Sequence, residues 1–266
     1  MPILSAAIIT LNEASRIEAC LSALSFCDEI VLLDSGSSDG TLDLARRFTD
    51  RLYLEPFKGD GAQKNSVVAK TRGQWVLLVD ADEIVTPSLA NEITGVVNNY
   101  GNMTTIKKES PAAWAVPRRN HFGGVWVRHG GWYPDYQIRL WLNGRARFLE
   151  HEVHPGVKVD GKVDRLKEPL LHYTYDSEED YLARMKVYAR GRAEDYFRLG
   201  RQCRPWTPFS HQTAAFIRAF FWRAGFLDGR LGWRLACLAA RYTRLKYDHL
   251  RTMLLAPPAS SPGRSS

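Results

Sequence analysis

Cysteine is scarce in this chain of 266 residues: Cys20, Cys27, Cys203 and Cys237 form no CxxC pair and show no zinc-ligand spacing. That argues against a disulfide framework and a structural zinc site, and it fits a reducing compartment. Cys20 and Cys27 read as small apolar core residues. No stretch approaches the ~18 uninterrupted apolar residues of a membrane-spanning helix. The opening MPILSAAIITLNE has no basic segment ahead of its apolar run, and polar residues interrupt it too early for a secretory signal. The expectation is a cytoplasmic protein or one peripheral to a membrane. Two nucleotide-loop signatures are missing as well. No GxGxxG follows the first apolar run, which disfavours a nicotinamide dehydrogenase, and no GxxxxGK(S/T) occurs, which disfavours a P-loop NTPase.

What is present describes an ordinary globular chain, with 45% hydrophobic and 24% charged residues. Its length suits one large domain, or one domain with an appendage. The formal charge of +7 is unevenly spread: residues 1–100 carry 8 Lys/Arg against 14 Asp/Glu, leaving +13 for the remainder. Such asymmetry points the later part toward an anionic partner, whether nucleic acid, membrane surface or acidic substrate.

Strand and helix patterns alternate over the first hundred residues. Leu4–Thr10 is a continuous apolar, β-rich run, and a helical pattern follows over 14–26. Glu29–Asp34 predicts a second strand, 41–48 a second helix and 51–54 a short third strand. Residues 61–71 read as a helix, 75–79 as the fourth strand and 87–98 as the helix after it. This alternation argues for βαβ units and a parallel sheet covered on both faces. Ligands bind such sheets at the carboxyl ends of the strands. Asn12 and Glu13, then Asp34, then Asp80 and Asp82 all fall on that edge. Residues 99–112 read as a surface loop. From Trp114 the texture turns to short strands, Gly-Gly pairs and aromatics, with strands expected over 136–142 and 170–174. Helices are expected over 177–199, 209–224 and 230–254, and the Pro/Ser-rich tail 256–266 reads as disordered.

The apolar run QWVLLVDADE at 74–83 ends in Asp80, Asp82 and Glu83. Ionised carboxylates at a buried strand tip need partners. Two acids at i and i+2 can hold a hard divalent cation that is shared with substrate phosphates. The competing reading is a solvated acidic turn, with Thr86 as N-cap and Pro87 at the first helical position. DSGSSDGT at 34–41 has two readings as well. Asp34 stands where it could accept from a ring N–H, Gly36 and Gly40 permit tight turning, and Ser38 or Asp39 caps the next helix. The alternative is a turn and cap with no ligand.

TLNE at 10–13, DSGSSDGT at 34–41, QKN at 63–65 and VDADE at 79–83 together resemble, in spacing and order, the family 2 glycosyltransferases of the GT-A fold. The resemblance implies an α/β fold: a mixed, mostly parallel sheet flanked by helices, with a C-terminal helical extension. It places the transferase domain at 1–175, with nucleotide-sugar binding in 1–100 and the acceptor side in 113–175, and the extension at 176–255. It implies that Thr10, Asn12 and Glu13 line the nucleotide pocket and that Asp34 meets the base. Asp80 would serve ribose and metal, and Asp82 would be the main ligand of Mn2+ or Mg2+. Lys64 and Arg72 are further candidate donor contacts, with solvated helix residues as the alternative. Arg139 is a candidate for the diphosphate. His151, His154 and His172 are candidate extra metal ligands, His154 the first choice, with a structural role as the alternative for each. A nucleotidyltransferase of similar fold would carry a Gly-rich, basic loop where this chain has Leu11-Asn12-Glu13.

An inverting sugar transferase needs a general base for the acceptor hydroxyl, while the metal neutralises the departing nucleoside diphosphate. Glu152 in LEHEVHP and Asp135 in GWYPDYQIRLW compete for that role. The Glu152 segment resembles the His-Glu segment of family members that build lipopolysaccharide cores. Pairing with Arg139 is a structural alternative for Asp135. Trp114, Trp126, Trp132 and Trp141 are expected mostly in the core, with sugar stacking as the alternative. The C-terminal helices mix aromatic residues with many arginines and few acids, which is the pattern of an interfacial membrane helix. A helical cap with snorkelling arginines is the alternative. GFLDG and the basic helix after it again resemble the core-glycosyltransferase subgroup, whose acceptor is lipid-anchored, and no nucleic-acid module is recognisable. The expectation is an inverting, metal-dependent transferase moving a sugar, glucose from a UDP donor, to a lipid-anchored saccharide such as the lipopolysaccharide inner core. The enzyme would be peripheral on the inner face of the cytoplasmic membrane. A polyprenyl-linked or protein acceptor, or a non-catalytic nucleotide-sugar binder, are the alternatives.

Overall fold

A computed structural model describes residues 3–100, 110–149 and 156–255. The chain divides after Asp176 into two compact units. The first opens with β1 (Leu4–Thr10), α1 (Ile17–Ser22), β2 (Glu29–Asp34), α2 (Thr41–Ala45), β3 (Leu52–Leu54), α3 (Asp60–Ala69) and β4 (Trp75–Asp80). It continues through β5 (Glu83–Val85), α4 (Pro87–Tyr100), β6 (Pro111–Phe122), β7 (Val125–Trp126) and β8 (Asp135–Leu142). The strands β9 (Ala146–Phe148), β10 (Val157–Val159), β11 (Lys162–Arg165) and β12 (Leu170–Tyr175) complete it.

The main sheet has the order β3-β2-β1-β4-β8-β6-β12-β5, with β7 and β11 attached to β6. Strands β1 to β4 are parallel, as the βαβ pattern requires, whereas β8 returns antiparallel to β4 and β6 runs antiparallel to β8. The sheet is therefore mixed. The runs in β1, β2 and β4 are continuous rather than alternating because both faces are covered. Ala6, Ile8, Leu32 and Leu77 pack with Ile17, Leu21, Leu89 and Ile93 on one face. Ala7, Val31, Leu33 and Leu78 pack with Val67, Trp141 and Phe148 on the other. Burying a Leu, Ile or Val side chain stabilises by about 1.5–3 kcal/mol, and a one-residue slip would exchange the two faces. Trp114 and Trp141 belong to this core, whereas Trp126 and Trp132 are only half-buried.

The largest departure from expectation is β6. Its pairing on both sides turns PAAWAVPRRNHF into one strand of 12 residues. Residues 101–109 of the expected loop and the tail 256–266 lie outside the described residues. In the second unit, Ser177 caps α5 (Glu178–Arg198): its Oγ accepts the Asp180 N–H at 3.2 Å, and three acids occupy the first turn. The single helix expected over 209–224 is instead α6 (Thr207–Ile217) followed by a π-helical turn over Arg218–Trp222. A 3-10 turn over Gly225–Asp228 then leads into α7 (Gly229–Leu255). Helices α5 and α6 both pack on α7, with Ala193, Tyr247 and Leu250 forming a small core. No helix among the described residues is long and apolar enough to cross a membrane.

Candidate active site

Strand register gathers the polar residues at one sheet edge. Ile9 stands opposite Asp80, and Thr10 opposite Asp34. Because β8 is antiparallel to β4, Asp135 at its start arrives at the same edge, paired with Arg118 of β6. His172 of β12 lies opposite both Asn120 of β6 and Glu83 of β5.

Asp60, Lys64, Asp80, Arg139, Glu83, Arg118 and Asp135 form a continuous chain of alternating charge across this edge. Lys64 Nζ lies 3.0 Å from Asp60 Oδ2 and 3.3 Å from Asp80 Oδ1. Arg139 Nη2 donates to Asp80 Oδ2 at 2.5 Å and also to Glu83 Oε1. Arg118 Nη1 donates to that same Glu83 oxygen at 3.3 Å, and its Nε and Nη2 donate to Asp135 Oδ2 at 3.0 and 2.5 Å. Burial acts to raise the Asp80 pKa, but Arg139 and Lys64 outweigh it and hold the carboxyl far below its ordinary range. Burial also opposes charge on Lys64, and Asp80 outweighs it to raise the pKa. Asp135 is lowered too: burial works against the charge, and Arg118, Gln137 and Asn120 overcome it. Glu83 is buried, and its Oε2 accepts the Asp80 N–H at 3.0 Å, so it holds the turn that carries the other acids.

A second path runs from Asp82 to Asp135. Asn120 Nδ2 donates to the Trp132 carbonyl at 2.8 Å and to Asp135 Oδ2 at 3.2 Å. Those two acceptors fix the amide orientation, so Asn120 Oδ1 faces His172 Nδ1 at 2.6 Å and takes its proton as an acceptor. In the neutral ring, the Nε2 lone pair then points at Asp82 Oδ2, 3.4 Å away. Two electron-pair donors so placed suit a hard cation between them. Among the described residues, no three His, Cys, Asp or Glu side chains converge as a ready-made metal site.

The loops after β1 and β2 are laced together. Asn12 has a left-handed backbone (φ 56°); its Oδ1 accepts the Ser38 N–H at 2.8 Å, and its own N–H donates to Ser37 Oγ at 2.8 Å. The Glu13 N–H donates to Thr41 Oγ1 at 2.9 Å, and the Ala14 N–H to Asp39 Oδ2 at 3.0 Å. The QKN segment ties three further pieces to α3. Gln63 Nε2 donates to Ser35 Oγ, Lys64 reaches Asp80, and Asn65 both donates to and accepts from the Phe148 backbone. Thr10 Oγ1 and Gln63 Oε1 are buried with no hydrogen-bond partner among the described residues.

The remaining candidate residues occupy distinct settings. Asp34 is fully buried, and its carboxylate accepts from the Gly36 and Ser37 N–H groups, each at 2.8 Å, and from Ser37 Oγ. It therefore shapes the loop that follows β2. Arg139 is a buried counter-ion of Asp80 and Glu83, and the ion-pair partner of Asp135 is Arg118. Arg72 precedes β4, at the opposite end from Asp80, and is not brought to this edge. Glu152, His151 and His154 lie outside the described residues. Sequence reasoning missed Arg118 and Asn120. Their signal was an apolar run ending in polar residues, AAWAVPRRN, the same pattern that drew attention to VLLVDADE.

Residues 5–143, just over half of the chain, match the family described as Glycosyl transferase family 2. The chain belongs to this family of transferases. The transferase is 27% identical over 251 residues to a lipopolysaccharide core biosynthesis glycosyltransferase of Rhizobium meliloti, covering 89% of this chain and 90% of the relative. It is 26% identical over 264 residues to an uncharacterized glycosyltransferase of Rickettsia felis, with 95% and 90% covered. Its fold is that of the mannosyltransferase PcManGT from Pyrobaculum calidifontis, solved with GDP-Man and Mn2+. The TM-score is 0.53 at 15% identity, covering 94% of this chain and 87% of that one. The fold is thus GT-A.

Proposed function

We propose that this transferase moves a hexose, with glucose from UDP-glucose as the first candidate, onto a lipid-anchored saccharide with inversion at the anomeric carbon. The observation that carries the reading is the facing pair of Asp82 Oδ2 and His172 Nε2 at 3.4 Å, beside an Asp80 held ionised. These two residues would hold Mn2+ or Mg2+, with His172 in the role first given to His154. A divalent cation supplies neutralisation of the departing diphosphate. Asp80 meets the ribose, and Thr10, Asn12 and Glu13 line the nucleotide pocket, where the unpartnered Thr10 hydroxyl awaits a ligand group. Lys64, paired with Asp80, sets the potential beneath the donor.

Asp135 is ionised but pinned by Arg118, Asn120 and Gln137, and its lowered pKa makes it a weak proton acceptor. That favours Glu152 as the base. The Mn2+ and GDP-Man of the Pyrobaculum mannosyltransferase support a metal and a nucleotide sugar here. The name of the Rhizobium relative supports a lipopolysaccharide-core acceptor, met at the inner face of the cytoplasmic membrane, with the basic C-terminal helices at the membrane surface.

Purified protein incubated with a panel of nucleotide sugars, with and without Mn2+, tests the reading. One donor should be hydrolysed slowly and only with metal, and Asp82→Asn should lower that rate by about a hundredfold or more. Glu152→Gln should cut transfer by roughly 10²–10⁴ while nucleotide affinity is kept. Normal turnover by Glu152→Gln would hand the role to Asp135. Retained nucleotide binding with no turnover of any donor would sink the reaction.

A further inference from the structure

The second unit carries an apolar surface built of residues other than those assigned to the sugar-transfer site. Around the turn between α6 and α7, the side chains of Ile217, Phe221, Trp222, Phe226, Leu227 and Trp233 are exposed, Trp222 to 87%. The rings are contiguous: Phe220 packs edge-on to Phe221, Phe226 and Trp233, and Phe216 stacks on Phe220 at 5.5 Å. Apolar patches of this kind on soluble proteins mark binding surfaces. Arg218, Arg223 and Arg230 are exposed among these rings, Arg234 is paired with Glu178 at 2.7 Å, and the one acid between Asp195 and Asp248 is Asp228.

The patch is also preformed. The π-helical turn ends at Trp222, and Ala224, which opens the 3-10 turn, has a left-handed backbone (φ 53°) at a cost of about 1–2 kcal/mol. A Cβ on Gly232 would fall 1.8 Å from the Gly225 carbonyl oxygen, and one on Gly225 would fall 2.6 Å from that of Ala219. Glycine at 232 lets the turn lie this closely on the start of α7, and glycine at 225 lets it fold back on the π-helical turn. A strained, tightly seated turn therefore holds aromatic side chains outward instead of folding them in.

We propose that this turn is the element that enters the interface of an anionic lipid bilayer. Phe221, Trp222 and Leu227 insert below the headgroups while Arg218, Arg223 and Arg230 meet lipid phosphates. The inference deepens the proposed membrane role of the C-terminal helices and rests on that reading. Charge complementarity selects the occupant. A two-fold contact with a second copy would set the same patch against itself, arginine facing arginine. A headgroup layer supplies the missing negative charge, and aromatic side chains prefer that depth.

Flotation of the full-length protein with vesicles of phosphatidylcholine alone, or of equal parts phosphatidylcholine and phosphatidylglycerol, tests this without nucleotide present. Binding should require the anionic lipid. Trp222→Ser with Phe221→Ser should weaken it roughly tenfold or more. Each of Arg218→Gln, Arg223→Gln and Arg230→Gln should weaken it about fivefold. The substituted side chains are exposed, so unchanged circular dichroism and melting confirm the fold. Equal binding to neutral vesicles, or unchanged binding by the double serine variant, overturns the proposal. So does a dimer in analytical ultracentrifugation that the double variant abolishes, which would assign the patch to a second copy. Donor hydrolysis in solution, measured on the same variants, separates this outcome from failure of the enzymatic reading: hydrolysis should be untouched.

Discussion

Arg139 is fixed by what its removal would leave behind. Its guanidinium lies between Asp80 and Glu83, and these two carboxylates would remain in place without it. Breaking a buried pair from one side costs about 3–5 kcal/mol, so Arg139→Gln should lower unfolding stability by that amount in urea titrations at neutral pH. The deficit should also depend on pH. The folded pKa of Asp80 is depressed, so its contribution is complete above the unfolded carboxylate value of about 4 and is lost as pH falls toward the folded one. The variant lacks that contribution, and the two stability curves should converge on acidification. A constant gap would show that Asp80 does not depend on Arg139. At this scale the acids were legible in the sequence and their partners were not. Asp80 and Asp82 stand out because carboxylates are foreign to the end of an apolar strand. Arg139 sits inside DYQIRLWL, where local sequence gives no sign that its charge is buried.

The elements most legible in the sequence were those whose burial is self-evident: the unbroken runs of β1, β2 and β4 and the helices between them. Strand β6 was not, because Pro117 interrupts it and its second half is polar. Only pairing with β8, β11 and β12 makes it a strand, and that pairing is what carries Arg118 and Asn120 to the site. The loops after β1 and β2 show the opposite case. Their residue types were visible, but the bonds that lace them were not. Asn12 serves that lacing twice, by its left-handed backbone and by its Oδ1. Asn12→Gly keeps the backbone and loses one hydrogen bond, whereas Asn12→Ala loses both. The alanine variant should be less stable than the glycine variant by roughly 1–2 kcal/mol, read by chemical unfolding, and should bind UDP more weakly in calorimetry. Equal losses in the two variants would mean that the backbone conformation at residue 12 is unimportant.

For the molecule as a whole, the first hundred residues are acidic and the rest strongly basic. The two activities proposed here should therefore respond differently to salt. Raising ionic strength from about 0.1 to 1 M shortens the screening length from about 10 to 3 Å. This should release the protein from anionic vesicles while leaving donor hydrolysis in solution far less affected, because the ion pairs at the site are direct and largely shielded from solvent. Flotation and hydrolysis measured in the same buffers make the comparison, and parallel loss of both would count against the distinction. The chain of alternating charges from Asp60 to Asp135 has a consequence on a longer timescale. Each interior member pairs with two neighbours, so a lone charge change unbalances both, while matched replacements at adjacent links do so less. Descendants of this sequence should therefore vary along that line in compensating pairs, and redesign of donor preference will have to move through it two residues at a time.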